Sequence, residues 1–554
     1  MKAKIILIIC IFNFTISKAQ WTTNTMQNTT VRDSVGADES TPLSATTSNG
    51  KTYISYFAIV NGSYQMRMQL LDINGAKLWA PGGVIVSSMP QSTALFRYDL
   101  KVDLDNNAIV AFQDQRSGPL QVVVYKVDQA GNPSWGASGI QLIDPVAAEG
   151  LAPVIGITNS NSVIVAWASS NSPKKWVTVN KIDGNGNLSW SSPIRVIDSV
   201  ATKKYSRPSI VASGIDNFIM LYVEEVGNFP GVTSNMYAQK YDVNGATIWN
   251  TPVHVSTKTI AYFYFPEIIS DNNNGFYIAF NTSNALSISQ TDVYIQHVSI
   301  SGVLWNASGN VVSTLSNTQH YTAGYNYDAV NSCFWVLLKV TDINQGMSGV
   351  FIQRIDTIGN ALLTANGSQL VAVSATYNDP RGMAATTDGA IAVYSIGSNS
   401  TAETLAAVKC DTSGTLIWGG NPVVICSNSS GKDDLTAGLF KNNQVVFVWD
   451  DTRNDFGVYA QNISNSGQLG VVTAIEDINN DNDVVVFPNP FSEDLQINFN
   501  KWNAADILNV YDSRGSVIVS QQINSNKTIL HTDQWPQGIY ILNAGTFNKK
   551  IVKY

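Results

Sequence analysis

Short runs rich in Val, Ile, Tyr and Trp recur along the chain and are separated by Asn, Ser, Thr and Gly. Runs of this length and β-branched content, closed by turn formers, predict strands. Arg207–Ser213 is one such opening run, Asn217–Val223 a central one, and Pro252–Val255 a last one beyond a polar turn. The whole predicts an all-β chain, and at 554 residues it is too long for one ordinary core.

The turns repeat. Asp72-Ile-Asn-Gly75-Ala-Lys-Leu-Trp79 is echoed by Asp128 to Trp135 around Gly131 and by Asp242 to Trp249 around Gly245. Further copies centre on Gly186, Gly302, Gly359, Gly414 and Gly467; Leu363 stands in place of Trp after Gly359, and no Trp follows Gly467. Successive glycines lie 56, 55, 59, 57, 57, 55 and 53 residues apart. Four short strands in each period of roughly 55 residues predict a β-propeller over residues 20–475. Eight glycines imply eight blades, with Trp21 placed where the N-terminal segment could complete the last one. Seven closed blades with one degenerate unit is the alternative. The glycine supplies the positive φ of a tight turn, the Asp bonds to the turn's own backbone, and the Trp packs between units. These residues are therefore assigned to the fold and not to chemistry.

The best-preserved units resemble a repeat of large exported bacterial propellers, through Trp449-Asp450-Asp451-Thr-Arg453 and Val458-Tyr459-Ala460-Gln461, echoed by Gln113-Asp114-Gln-Arg116 and Met236-Tyr237-Ala238-Gln239. The resemblance implies a fold and no particular activity. The Asp-x-x-Gly-x-x-x-Trp hairpin also resembles the Asp-box hairpin of sialidases. That likeness implies three arginines gripping a carboxylate, and Arg97, Arg207 and Arg381 open strands in three units. The leading Ser and a Tyr/Glu nucleophile pair of that family are missing, so a glycan hydrolase is the alternative reading.

Lys2 and Lys4 precede an apolar run from Ile5 to Phe14, and Ser17 and Ala19 stand before Gln20. The run is shorter than the ~20 residues that span a bilayer, so residues 1–19 read as a cleaved secretory signal and the mature chain has no membrane span. Cleavage leaves Cys333, Cys410 and Cys426, an odd number without metal-ligand spacing; Cys410 and Cys426 lie on two arms of one predicted hairpin and could pair. A net charge of -8 offers no basic field for nucleic acid. His254, His297, His320 and His531 fall in different units, no phosphate loop or zinc-protease helix occurs, and no cofactor is expected.

Residues 476–483 are hydrophilic throughout and read as a linker. From Val484 to Tyr554 alternating runs and close turns predict a small antiparallel sandwich. Pro488-Asn489-Pro490, Leu508 to Gly515, Gly538-Ile-Tyr540 and Lys549-Lys550-Ile-Val-Lys553 occur in the order of the type A C-terminal sorting domain of type IX secretion, which this segment resembles. The resemblance implies recognition by the secretion machinery and delivery to the cell surface or the medium. A surface or secreted propeller that binds or adheres to a glycan or protein ligand without catalysis is the expected function. A structural part of a surface assembly is a third possibility, and the segments 227–235 and 341–349 are candidate contact loops.

Overall fold

The computed structural model describes residues 20–92, 97–228, 231–262, 264–282, 291–470, 484–499, 507–512, 515–544 and 547–554. The expected signal at 1–19 and the linker at 476–483 lie outside them, as does part of the 227–235 loop. Two compact units divide at Val472.

The first unit consists of four-stranded antiparallel sheets of β-propeller type. Its described residues hold eight of them, seven built from consecutive strands. In the first sheet these are Glu39–Thr46, Thr52–Val60, Ser63–Leu71 and Val84–Ser87. The eighth contains Lys432–Ala437, Gln444–Asp451 and Gly457–Ser464, and its fourth strand is Thr29–Arg32 from the other end of the chain. Thr29 pairs with Ala460 and Thr30 with Tyr459. Opening strands touch their successors from sheet to sheet, and Lys432–Ala437 touches Glu39–Thr46.

Middle strands are sandwiched on both faces by neighbouring sheets. Ala108–Asp114, Gln121–Val127 and Gln444–Asp451 are therefore buried at every residue, and their middles are apolar on both faces. Opening strands carry a bulge near their midpoint, as at Ser40/Leu43, Ser206/Ser209, Pro380/Gly382 and Asp433/Thr436. The extra residue at several of these bulges has positive φ, Thr41, Arg207 and Asp434 among them, and a bulge re-aims the side chain it inserts.

The second unit has one sheet of Val484–Phe487, Asp494–Phe499 and Lys527–His531, and another of Ile507–Asp512, Val517–Gln522, Gly538–Ala544 and Phe547–Lys553. One apolar cluster joins both: Leu495, Ile497 and Leu530 from the first meet Leu508, Leu542 and Ile551 from the second.

Candidate functional site

All eight repeat glycines have positive φ, from +79° at Gly414 to +93° at Gly359. In each turn the leading residue caps the backbone. Asp72 Oδ1, for example, accepts from the amides of Asn74 at 2.9 Å and Ala76 at 2.8 Å. A Cβ added at Gly75 would strike the Trp21 ring, and at Gly131, Gly186, Gly245, Gly302, Gly359 and Gly467 it would meet Trp79, Trp135, Trp190, Trp249, Trp305 and Trp418. Every indole thus lies over the turn of the following unit, and its Nε1 donates to a carbonyl there, such as Trp249 to Ile300 at 3.1 Å. At Gly414 the covering residue is Leu363. The carbonyl of Thr412, which an indole would have used, accepts instead from Arg354 Nη1 at 3.0 Å.

A second feature was missed in the sequence. Gln69, Gln239, Gln296 and Gln353 are buried, and each side-chain amide donates to a carbonyl of the segment leading to the fourth strand, as Gln239 does to Trp249 O at 3.1 Å. The signal was the Gln of Tyr-Ala-Gln, which recurs six residues before the repeat glycine in five of the eight periods, at Gln69, Gln239, Gln296, Gln353 and Gln461.

The Asp-x-Arg motif is likewise consumed by the fold. Asp451 accepts from Arg453 Nη2 at 2.6 Å, Trp449 Nε1 at 3.1 Å and Ser430 Oγ at 2.6 Å, while Arg453 lies 3.9 Å over the Tyr459 ring. Burial opposes ionisation of Asp451, but Arg453, Lys432 and Ser430 hold its carboxyl below the ordinary range. Arg116 repeats the pattern with Asp114 at 2.6 Å. Alternation turns Asp450 to the other face, where it accepts from the amides of Thr41 and Asp433. Burial, and then Asp434, push its carboxyl up to about 7. A folded pKa above the unfolded value of about 4 gives a contribution that is full below that value and is lost as pH rises through 7. Asp450→Asn should therefore gain on the wild type in melting temperature between pH 5 and 8; a difference that stays flat with pH would exclude this.

The three candidate arginines do not converge. Arg207 is buried and pairs with Glu225 at 2.9 Å, and its Nη1 donates to the carbonyls of Tyr262 at 2.6 Å and Tyr264 at 2.8 Å. Arg381 donates to both oxygens of buried Glu403 at 2.8 Å. Arg97 is exposed and lies 4.9 Å over the Phe265 ring. Arg97 and Arg207 share a cavity of about 80 Å³ with Lys101, Phe265 and Glu267, enough for a few waters and too small for a sugar ring. Arg381 is not in it. Among the histidines, His297 Nε2 lies 2.7 Å from Asp271 and His531 Nδ1 2.7 Å from Asp494. Cys333, Cys410 and Cys426 are free and buried, so the hairpin cysteines do not pair.

The expected loop 341–349 is a shorter hairpin turn, residues 343–347 between the strands Cys333–Asp342 and Ser348–Asp356, and it frames a larger cavity, about 580 Å³, between the sixth and seventh sheets. Tyr321 and Tyr377, from the two opening strands, line it with Lys339, Thr341, Gln345 and Met347. Lys339 Nζ stands 2.6 Å from Asp379 Oδ1 and 5.5 Å over the Tyr377 ring. The Tyr377 hydroxyl donates to Asp379 at 3.2 Å. Burial, then the Asp379 charge, push that phenol up to about 12 and keep it protonated. The Tyr321 hydroxyl donates to Gln319 at 2.6 Å. Thr341 is 3% exposed, and its hydroxyl has no hydrogen-bond partner. The volume falls in the range of roughly 300–1,000 Å³ found for ligand sites, and ring faces beside a few polar groups are their usual lining.

In the second unit Pro488, Asn489 and Pro490 are exposed. Asn489 bridges to the last strand: its Nδ2 donates to Lys550 O at 2.9 Å and its Oδ1 accepts from Val552 N at 2.9 Å. Lys550 is exposed and Lys549 half-buried. Lys553 is buried at 7% exposure, donates to Ser492 O, and lies 5.6 Å over the Phe491 ring. The Tyr540 hydroxyl donates to Pro536 O at 2.7 Å. Gly515 has φ +85° in the turn after Asp512, and Gly538 is extended with open space around it. Lys553 and Tyr540 are thus core residues, and the Pro-Asn-Pro turn with Lys550 forms the accessible surface. Among the described residues no helix is long and apolar enough to cross a membrane.

The family model for the secretion system C-terminal sorting domain matches residues 485–554. This segment is a type IX secretion sorting domain, and the protein is exported across the outer membrane to the cell surface or the extracellular space. No curated protein matches the sequence. Similar solved structures include a protein of unknown function from Dyadobacter fermentans, with 9% identity, 56% of this chain and 93% of that one covered, and a TM-score of 0.33. A polysaccharide lyase of family PL25, an ulvan lyase, has 10% identity, coverages of 82% and 97%, and a TM-score of 0.40. The β-propeller domain of the Trilobed protease from Pyrococcus furiosus, described as having open velcro topology, has 9% identity, coverages of 71% and 98%, and a TM-score of 0.38.

Proposed function

We propose that residues 20–470 form a closed eight-bladed β-propeller, delivered by a C-terminal sorting sandwich, and that it binds an extracellular glycan without catalysis. The cavity under the 341–349 loop carries this reading. Two tyrosine rings, an amide and hydroxyls around a space of about 580 Å³ suit stacking against a sugar with hydrogen bonds at its edge. The pairing of Arg207 and Arg381 with buried carboxylates favours binding over a hydrolase that grips its substrate with an arginine triad. Eight sheets in chain order, with the N-terminal strand completing the last, support the blade count.

The purified mature protein should retain glycans on an array and release no reducing ends from them. Tyr377→Ala should weaken that retention by about tenfold, the loss of one stacked ring. Turnover of any glycan would refute the noncatalytic reading, and retention unchanged in the variant would place the site elsewhere.

A further inference from the structure

We propose that Lys175 and Lys204, where the third sheet meets the fourth, form a second binding site, which takes the carboxylate or sulfate groups of an acidic extracellular polysaccharide. The oxyanion chemistry follows from the lysines themselves; its source in a glycan rests on the glycan reading of the protein given above.

The first unit has two pairs of adjacent lysines, Lys174-Lys175 and Lys203-Lys204. One pair opens the strand Lys174–Ile182 of the third sheet, and the other opens Lys203–Ala212 of the fourth. These strands touch, and Lys174 Nζ donates at 2.9 Å to Ser199 O, in the connection that leads to Lys203. Folding thus gathers the four lysines at one place in a chain whose net charge is -8.

The carboxylates nearby are engaged with other groups. Glu224 pairs with Lys203 at 2.8 Å and Glu225 with Arg207 at 2.9 Å. Glu149 accepts from Ser170 Oγ at 2.8 Å, and Asp198 caps the amides of its own turn. Lys175 and Lys204 are half-buried, and among the described residues neither ammonium has an ion pair or a hydrogen bond. Burial draws the Lys175 ammonium below the ordinary lysine range; Glu225 opposes that, while Arg207 and Lys204 add to it. A charge withdrawn from water without a partner is disfavoured. An oxyanion would supply the partner through charge-assisted hydrogen bonds, whereas a neutral sugar would leave both charges uncompensated and a cation would add to them. Arg207 and Arg381 occupy matching bulges, so Lys203 and Lys204 hold the places of Tyr377 and Asn378 three sheets on. The lysine site is therefore the counterpart of the cavity that Tyr377 lines.

The test measures by calorimetry the affinity of the mature protein for polygalacturonate, dextran sulfate, uncharged dextran, poly-glutamate and inorganic sulfate at two salt concentrations. Melting temperatures are recorded beside it. The variants are Lys175→Met with Lys204→Met, and, as a control, Lys51→Met with Lys441→Met, which removes the same charge from turns at the opposite end of the sheets. One of the charged polysaccharides should bind more tightly than dextran and weaken as salt rises. Its affinity should fall about tenfold in the Lys175 and Lys204 variant and hold in the control. That variant should melt no lower than the wild type, because the group it removes is an unpaired charge. Unchanged affinity there, an equal loss in the control, or failure of every anionic probe to bind would overturn the inference. Binding of inorganic sulfate alone, or tightest binding of poly-glutamate, would overturn the polysaccharide as its ligand. Tyr377→Ala separates this site from the cavity: charged-polysaccharide binding that survives in it and is lost with the lysines leaves the lysine site standing without the cavity, and the reverse leaves the cavity alone.

Discussion

A chain ending before Val484 is expected to remain in the periplasm, with none reaching the surface or the medium. The sorting domain at 485–554 has an apolar cluster of its own, drawn from Val486 to Ile551. Its removal should therefore abolish delivery without unfolding what remains. Fractionation of the native host with intact-mass measurement checks the first half, and an unchanged melting temperature of the truncated chain checks the second. A truncated chain that travels normally would show that export does not depend on this domain.

Replacing Trp21 by alanine is expected to cost about 3–5 kcal/mol, the usual loss for deleting a large buried aromatic. Its ring is 4% exposed at the seam between the eighth and first sheets, packed with Val31, Ile54, Tyr56, Val446 and Val458. The indole also covers Gly75 and donates to Ile73 O at 3.0 Å. That carbonyl keeps a second donor, Gln444 Nε2 at 2.7 Å, so the loss comes from the cavity more than from the hydrogen bond. Trp190, which holds the same place in the ladder but is half-buried, should cost distinctly less. Urea midpoints of Trp21→Ala and Trp190→Ala decide it. Equal falls would mean that the closing seam has no special share in stability.

Much of this was legible in the sequence because each repeat residue acts within or next to its own turn. A glycine at positive φ and an aspartate capping the following amides are local devices, and even spacing exposes them. The arginines were harder to read. Arg207 and Arg381 occupy matching bulges, and nothing near them in sequence reveals that Glu225, on the adjacent strand, and Glu403, two strands away, already hold them. The Arg354 that serves Thr412 where Leu363 replaces a tryptophan was equally hidden, since it compensates across two units.

The sequence by itself determined the strand content, the period, the turn chemistry and the address, because propensity, spacing and a terminal motif are properties of consecutive residues. The place of Trp21 had already pointed to the N-terminal segment as the completing strand of the eighth sheet; the tertiary structure alone decided its register, which charges cancel, and which residues frame a cavity. Those depend on residues brought together from distant positions, as Thr29 is to Ala460, and a strand's hydrogen bonds and a side chain's desolvation are set by neighbours in space.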